Sequence, residues 1–336
     1  MIVGFVIAFG LSAVLALIAT GFVRQRLADR AILDVPNERS SHEEPTVRGG
    51  GWAIIPIIFL GWIAAYALNS PDSFQTELVC LIGAAIGLAW ISWKDDTGGI
   101  APKWRLLAHI AAAGLVLAAV PPSSPIFQGL LPGILDRIAA LLLWIWFINL
   151  FNFMDGIDGI AGVETVSIGL GSALIFGVTA TTQELGLAGA VMAGAAIGFL
   201  KWNWHPARIF LGDIGSIPLG FLLGWLLLRL AAEGQWAAAL ILPLYYLVDA
   251  TITLIRRAVR GERVWQAHRN HFYQRAVQAG KSHAAVSSAI AICNLVLIGL
   301  ASLSISDPLP ALVGAGIMVV LLLIYLVGPW RKGATA

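Results

Sequence analysis

The stretch Asn149-Leu-Phe-Asn152-Phe-Met-Asp155-Gly-Ile-Asp158-Gly-Ile-Ala-Gly162 decides the fold class, because it sits between two apolar runs, 138–148 and 163–178. Asn149, Asn152, Asp155 and Asp158 recur every third residue. On one continuous helix such steps keep the four side chains within about half the circumference. A single Asn or Asp there would pass as a helix cap at a membrane surface. Two carboxamides and two carboxylates together are costly beside hydrocarbon unless they bind something.

Working outward, the same pattern of apolar runs with polar ends fills the chain. Of 336 residues, 58% are hydrophobic and 12% charged, with a mean hydropathy of +0.83. A soluble domain is nearer half apolar and a quarter charged. Apolar segments of spanning length fall near 2–23, 50–68, 76–92, 104–120, 137–153, 160–179, 184–201, 214–231, 236–255, 286–305 and 309–328. The expected fold is therefore all-α: a single transmembrane domain over residues 1–336, with about eleven helices. If the N-terminus is outside, nineteen of the twenty-one Lys and Arg residues fall in inner segments, and only Arg137 and Arg229 lie at outer ends. That asymmetry predicts a periplasmic N-terminus and a cytoplasmic C-terminus. The first apolar run has its basic cluster after it, from Arg24, and reads as an uncleaved span. Cys80 and Cys293 lie inside predicted spans and define neither a disulfide framework nor a metal motif.

The inner segments hold the chemistry. The first contains Arg48-Gly49-Gly50-Gly51, which suits either a phosphate cradle or a plain interfacial loop. The second, from Lys94 to Arg105, has adjacent Asp95 and Asp96 followed by Lys103 and Arg105; paired carboxylates repel unless a cation is near. A later segment runs Asn203-Trp-His205-Pro206-Ala-Arg-Ile-Phe210-Leu-Gly212-Asp213-Ile-Gly-Ser216. The loop 256–285 is expected to carry a short amphipathic helix with His268-Arg269-Asn270-His271, the two histidines on one face. The alternative there is a basic helix on anionic lipid. The outer connections lack His, Cys and paired carboxylates. Hard oxygen donors without a Cys/His cage favour Mg²⁺ or Mn²⁺ over Zn²⁺. Such an ion ringed by bases suits a nucleotide diphosphate.

Lys94-Asp95-Asp96 with Pro102-Lys103, the Asn149–Asp158 repeat, Asn203 to Ser216, and His268-Arg-Asn-His271 occur in the order of a known family. The chain resembles the polyprenyl-phosphate N-acetylhexosamine-1-phosphate transferases of glycosyltransferase family 4 over nearly its whole length. The resemblance implies transfer of a sugar 1-phosphate from a UDP-N-acetyl amino sugar to undecaprenyl phosphate at the cytoplasmic face of a bacterial inner membrane, with UMP leaving. It implies Mg²⁺ on Asp213, with Asp95 near it, and Asp95 and Asp96 acting at the lipid phosphate with Lys103. Asp155, Asp158, Asn149 and Asn152 would line the nucleotide site, Asn203 and Phe210 would hold the uracil, and His268, Arg269 and His271 would meet the diphosphate, with Arg48 as a further anion contact. Asp95, Asp96, Asp155, Asp158, His268 and His271 are the expected catalytic set.

The His-Arg-Asn-His loop departs from the triple-histidine version of the cell-wall precursor enzymes. With Pro36 to His42, it looks closest to enzymes initiating O-antigen and exopolysaccharide assembly, whose donors include UDP-GlcNAc and its 6-deoxy relatives (QuiNAc, FucNAc). A phospho-MurNAc-pentapeptide transferase is the nearer alternative. A secondary transporter would need ionisable groups deep in the spans, which look nearly free of charge. A CDP-alcohol phosphatidyltransferase would continue its Asp-Gly motif with Ala-Arg, absent here. No nucleic-acid partner is expected; a homodimer is compatible with the sequence.

Overall fold

The computed structural model describes residues 2–36, 44–69, 75–120, 122, 124–179, 182–263 and 268–328. Residues 37–42 of the polar loop and the basic tail Arg331-Lys332 lie outside them. Among the described residues, nine helices are long and apolar enough to cross a membrane. These are α1 (Ile2–Asp29), α2 (Gly51–Asn69), α3 (Gln75–Gly98), α5 (Gly133–Met154), α6 (Ile160–Thr179), α7 (Gln183–Asn203), α8 (Asp213–Ala232), α12 (His283–Leu303) and α13 (Pro308–Val327). Each overlaps one expected span. The other two expected spans are helical as well. The first is α4 (Pro102–Ala119); the second is split into α9 (Trp236–Ile241) and α10 (Leu244–Val259) around Leu242-Pro243. Pro243 has no N–H for the helix ladder, and its ring clashes with the preceding turn.

Burial explains the order of packing. Helix α8 is buried along nearly all of its length, with Trp225, Phe221 and Leu222 fully enclosed, whereas α1 turns most of its side chains outward. Helices α5, α3, α2 and α6 pack around α8, and α7 is sandwiched between α1 and α6. Small residues set that second contact. A Cβ on Gly194 or Gly198 would lie 2.2 Å from the carbonyl oxygen of Phe9 or Ala13 in α1. Such close backbone approach replaces the hydrophobic drive that water supplies elsewhere.

The helices alternate in direction, so one end of the bundle gathers the C-termini of α3, α5, α7 and α10 with the N-termini of α2, α8 and α12. A small sheet also sits there: β1 (Leu33–Asp34), β2 (Thr46–Arg48) and β3 (Ile209–Phe210), in the order β1-β2-β3. β1 and β2 are antiparallel, and β2 and β3 parallel, with Arg48 opposite Phe210. An all-helical expectation did not contain this sheet, whose strands are too short for an alternating pattern to show. Gly49, Gly50 and Gly51 lie against it. Their amides donate to Phe210 O (3.1 and 2.8 Å) and Leu211 O (3.0 Å). A Cβ on Gly51 would meet the Gly215 amide nitrogen at 2.4 Å. The three glycines therefore join α2 to α8 rather than offering amides to a phosphate.

Gly198→Leu is predicted to prevent α1 from docking on α7 and to remove the monodisperse protein peak on size-exclusion chromatography in detergent. Gly83→Ala, with nothing within 4 Å of the added carbon, is predicted to leave peak and unfolding temperature unchanged.

Candidate active site

Asp213 is the first residue of α8, behind Gly212 at φ +73°. Its carboxylate accepts from Arg48 (3.2 Å), Arg105 (3.2 Å) and Asn152 Nδ2 (3.0 Å). Asn152, in the last turn of α5, also donates to Ser216 Oγ (2.8 Å) and accepts from Arg105 (3.0 Å). Asp96, near the end of α3, accepts from the backbone amides of Asp213 (3.3 Å) and Ile214 (3.1 Å), and pairs with Arg48 at 2.6 Å. A carboxylate from another helix thus caps α8, where the macrodipole favours negative charge. Asp95 accepts from Ile100 N (2.6 Å) and pairs with Arg105 at 2.7 Å. Five of the expected residues, Arg48, Asp95, Asp96, Asn152 and Asp213, therefore meet in one network.

Asp155 stands just beyond α5 as its C-cap, and its carboxyl is in none of these hydrogen bonds. Burial, reinforced by the nearby Asp213 and Asp96 carboxylates and opposed by Arg48, pushes its pKa up to about 7. Four carboxylates, Asp95, Asp96, Asp155 and Asp213, thus face two guanidinium groups, Arg48 and Arg105. With all four ionised the cluster is short of two positive charges; a divalent cation would supply them and draw the proton off Asp155, and the oxygen-only donors suit Mg²⁺ or Mn²⁺. Asp213 and Asp155, whose carboxylates feel one another, are the residues that could hold such an ion.

The other expected residues separate. The Asn149–Asp158 repeat is not one helical face: α5 ends at Met154 and the chain turns through Gly159 at φ +80°. Asn149 donates back to Ile145 O (2.7 Å) on its own helix. Asp158 points to a different cluster, accepting from His205 Nδ1 (2.7 Å) and Ala207 N (3.1 Å), with His283 Nδ1 at 3.1 Å. Burial acts to raise its pKa, but the bonds from His283 and His205 outweigh it and hold the carboxyl below the usual value. Asn203 is buried and bridges Gly159 N (3.0 Å) to Ile209 O (2.9 Å). Phe210 is half-buried in β3, facing Arg48 across the sheet. Lys103 is exposed over the Trp104 ring; Arg105, two residues on, takes the inward position.

The histidine loop also differs from the expected helix. Helix α11 (Phe272–Gln278) begins after the motif, and His271 is its N-cap, its N–H donating to Gln274 Oε1 (3.3 Å). Residues 264–267 lie outside the described residues. The two histidine rings are still neighbours, 4.8 Å apart. His271 Nδ1 is 3.1 Å from Asp249 in α10, which also accepts from Phe272 N (3.1 Å) and Tyr245 Oη (3.0 Å). Burial, with His271 and Arg257 nearby, lowers the His268 pKa to about 4, so this ring is neutral at pH 7. Arg269 is half-buried, and its backbone carbonyl accepts from Gln278 (2.8 Å). Tyr273 donates to Phe153 O (3.3 Å), tying the loop to the end of α5.

Asp249, His205, His283 and Arg105 were not among the expected site residues. Asp249 had a signal: it is the sole carboxylate of an apolar segment, an expensive placement. With fully buried Glu164 in α6, it also corrects the expectation that the spans carry almost no buried charge. Away from this end, an apolar cavity of about 370 Å³ lies between α5, α8, α9 and α10, lined by Phe147, Trp144, Leu227, Trp236 and Leu247 among others.

A polytopic helical bundle with carboxylates, arginines and histidines gathered at one end defines the class: a polytopic membrane protein with a polar, charge-rich site at the ends of its helices. Residues 78–231 match the profile of glycosyl transferase family 4. The chain is 27% identical to a decaprenyl-phosphate N-acetylglucosaminephosphotransferase of Mycolicibacterium smegmatis, over 96% of this chain and 88% of the relative. It is 26% identical to a probable undecaprenyl-phosphate N-acetylglucosaminyl 1-phosphate transferase of Bacillus subtilis (83% and 78%). A phospho-N-acetylmuramoyl-pentapeptide-transferase of Thermosynechococcus vestitus is 28% identical (76% and 71%). The chain is a membrane phosphotransferase whose residues 78–231 carry the glycosyl transferase family 4 profile.

The raised Asp155 pKa sets a pH dependence. The folded state keeps this proton up to about pH 7, while an unfolded Asp releases it near pH 4. The stabilisation is complete below that unfolded value and is lost as pH rises through the folded one. With divalent ions chelated, the unfolding temperature of wild type minus that of Asp155→Asn is predicted to fall between pH 5 and pH 8, read by fluorescence-detected melting.

Proposed function

We propose that the protein transfers an N-acetylhexosamine 1-phosphate from a UDP-sugar to undecaprenyl phosphate, with Mg²⁺ as cofactor, at the cytoplasmic face of a bacterial inner membrane. The observation that carries this reading is Asp213 at the head of α8, held by Arg48, Arg105 and Asn152 with the unpaired Asp155 beside it. A divalent ion there supplies charge neutralisation for a diphosphate. In the transfer, an oxygen of the lipid phosphate attacks the phosphorus that carries the sugar. A new P–O bond forms, the bond to the uridine-bearing phosphate breaks, and UMP leaves with the bonding electrons.

Arg48 and Arg105 change partner in this scheme, from protein carboxylates to phosphoryl oxygens, while Asp96 keeps α8 in place. A phosphate monoester has its second pKa near 6, so the attacking oxygen is largely ionised at pH 7. Asp95, fixed by Ile100 N and Arg105, therefore orients rather than removes a proton. His268 and His271, on the loop that Tyr273 ties to the end of α5, would meet the donor diphosphate. The apolar cavity offers a seat for part of the prenyl chain. In this reading the chain crosses eleven times, with α4 and the broken α9–α10 pair as two of the crossings; the alternation that brings these groups to one end and the weight of basic residues there support an inward-facing site.

N-acetylglucosamine appears in the names of two of the relatives above and a muramoyl pentapeptide in the third. The His-Arg-Asn-His loop favours UDP-GlcNAc or a 6-deoxy relative, and with it the initiation of O-antigen or another surface polysaccharide. The test is a donor panel with purified protein, Mg²⁺, undecaprenyl phosphate and UMP detection. UDP-GlcNAc, UDP-QuiNAc or UDP-FucNAc is predicted to release UMP and UDP-MurNAc-pentapeptide to release none, with at least a 100-fold loss in Asp213→Asn. No UMP from any donor, or turnover unaffected by EDTA, would defeat the assignment.

A further inference from the structure

Asp158, His205 and His283 come from three places: the turn after α5, the turn between α7 and β3, and the first residue of α12. One ligand atom of each lies within 4.8 Å of the others. The Nδ1 atoms of the two imidazoles address opposite oxygens of one carboxylate, at 2.7 Å for His205 and 3.1 Å for His283. None of the three belongs to the Asp213 network.

We propose that Asp158, His205 and His283 form a second divalent-metal site, selective for a borderline ion such as Zn²⁺ over Mg²⁺. The donor set is the first reason. Two imidazoles and one carboxylate are a common three-ligand set for zinc, leaving a fourth position for water, whereas Mg²⁺ prefers oxygen ligands and near-octahedral geometry.

The second reason is a conflict at His283. Its Nδ1 lies 3.1 Å from Asp158 Oδ1 and 3.4 Å from the Asp158 amide nitrogen. If Nδ1 is bare, it can accept from the amide but its lone pair faces the carboxylate. If it carries a proton, it satisfies the carboxylate and faces the amide hydrogen. Neither tautomer serves both neighbours. A cation between Nδ1 and Oδ1 removes the repulsion in the bare form by making ligands of the two facing lone pairs; the single Nδ1 lone pair then leaves the Asp158 amide, already distant at 3.4 Å, for the metal.

Support around the three ligands is already built, as metal sites require. Ser287 Oγ donates to Asp158 O (2.7 Å), Ala207 N holds Asp158 Oδ2 (3.1 Å), and Gly159 N is bonded to Asn203 (3.0 Å). Asp158 and His283 are buried, while the His205 side chain is 39% exposed. That exposure gives an ion a route in and lets one ring rotate to close the site; adjacent ligands of a tetrahedral zinc stand roughly 3.3 Å apart. An ion bound here ties the turn carrying Asp155 and Asp158 to α12 and to the strand leading into Asp213.

The test uses full-length protein without a polyhistidine tag, stripped with chelator and titrated with Zn²⁺, or with Co²⁺ for its visible absorption, in excess Mg²⁺. Wild type is expected to bind one equivalent with tetrahedral-type Co²⁺ bands and to gain unfolding temperature with Zn²⁺. Asp213→Asn and His268→Asn should retain that binding, whatever their activity. His205→Asn, at the exposed ligand, and His283→Gln should each weaken it at least 30-fold. Absence of binding in wild type, displacement by Mg²⁺, or wild-type affinity in a folded His205→Asn protein would overturn the site.

Discussion

Everything at the active end depends on how α8 begins. A helix start leaves backbone N–H groups unsatisfied, and here it lies at the end of a largely enclosed helix. Asp96 satisfies two of them from α3, and in doing so fixes where Asp213 points. Arg48 then bridges Asp96 and Asp213, and Arg105 bridges Asp213 and Asp95. Removing one partner of such a pair strands a charge and costs about 3–5 kcal/mol where it is buried. The network is thus both a lock on α2, α3, α4, α5 and α8 and a store of charge for an anionic substrate.

The small sheet and the three glycines serve the same end. β2 sets Arg48 opposite Phe210, and the chain then runs through Leu211 and Gly212 to Asp213. Side chains at Gly50 or Gly51 would strike Phe199 or the Gly215 backbone, so the close approach that positions Arg48 needs hydrogen there. This is a mechanical use of glycine, with the amides committed to Phe210 and Leu211. On the other side of the site, Asp249 organises the start of α11 and with it His271, and Tyr273 passes that position to the end of α5.

Much of this was readable beforehand, because a bilayer forces long apolar helices and penalises polar groups inside them. The eleven expected segments are helical, nine of them long and apolar enough to cross a membrane, and Arg48, Asp95, Asp96, Asn152 and Asp213 meet in one network. What stayed hidden is pairing. The three-residue spacing of Asn149, Asn152, Asp155 and Asp158 suggested one face, but the helix stops at Met154 and sends Asp158 to His205 and His283. Lys103 and Arg105 are two residues apart with equal charge; on α4 they point to nearly opposite sides, and the packing of α4 turns Arg105 toward Asp95 and Asp213. Tertiary geometry also made His271 a helix cap, since its partner Asp249 is 22 residues away.

The central claim is that two arginines and four carboxylates leave one divalent position at Asp213. Anomalous scattering from Mn²⁺, in crystals grown with a nucleotide diphosphate, addresses it directly. The account predicts a peak within coordination distance of the Asp213 carboxylate and of a diphosphate oxygen, with Arg48 and Arg105 turned onto the phosphates. A peak remote from Asp213, with both arginines still paired to their carboxylates, would contradict it.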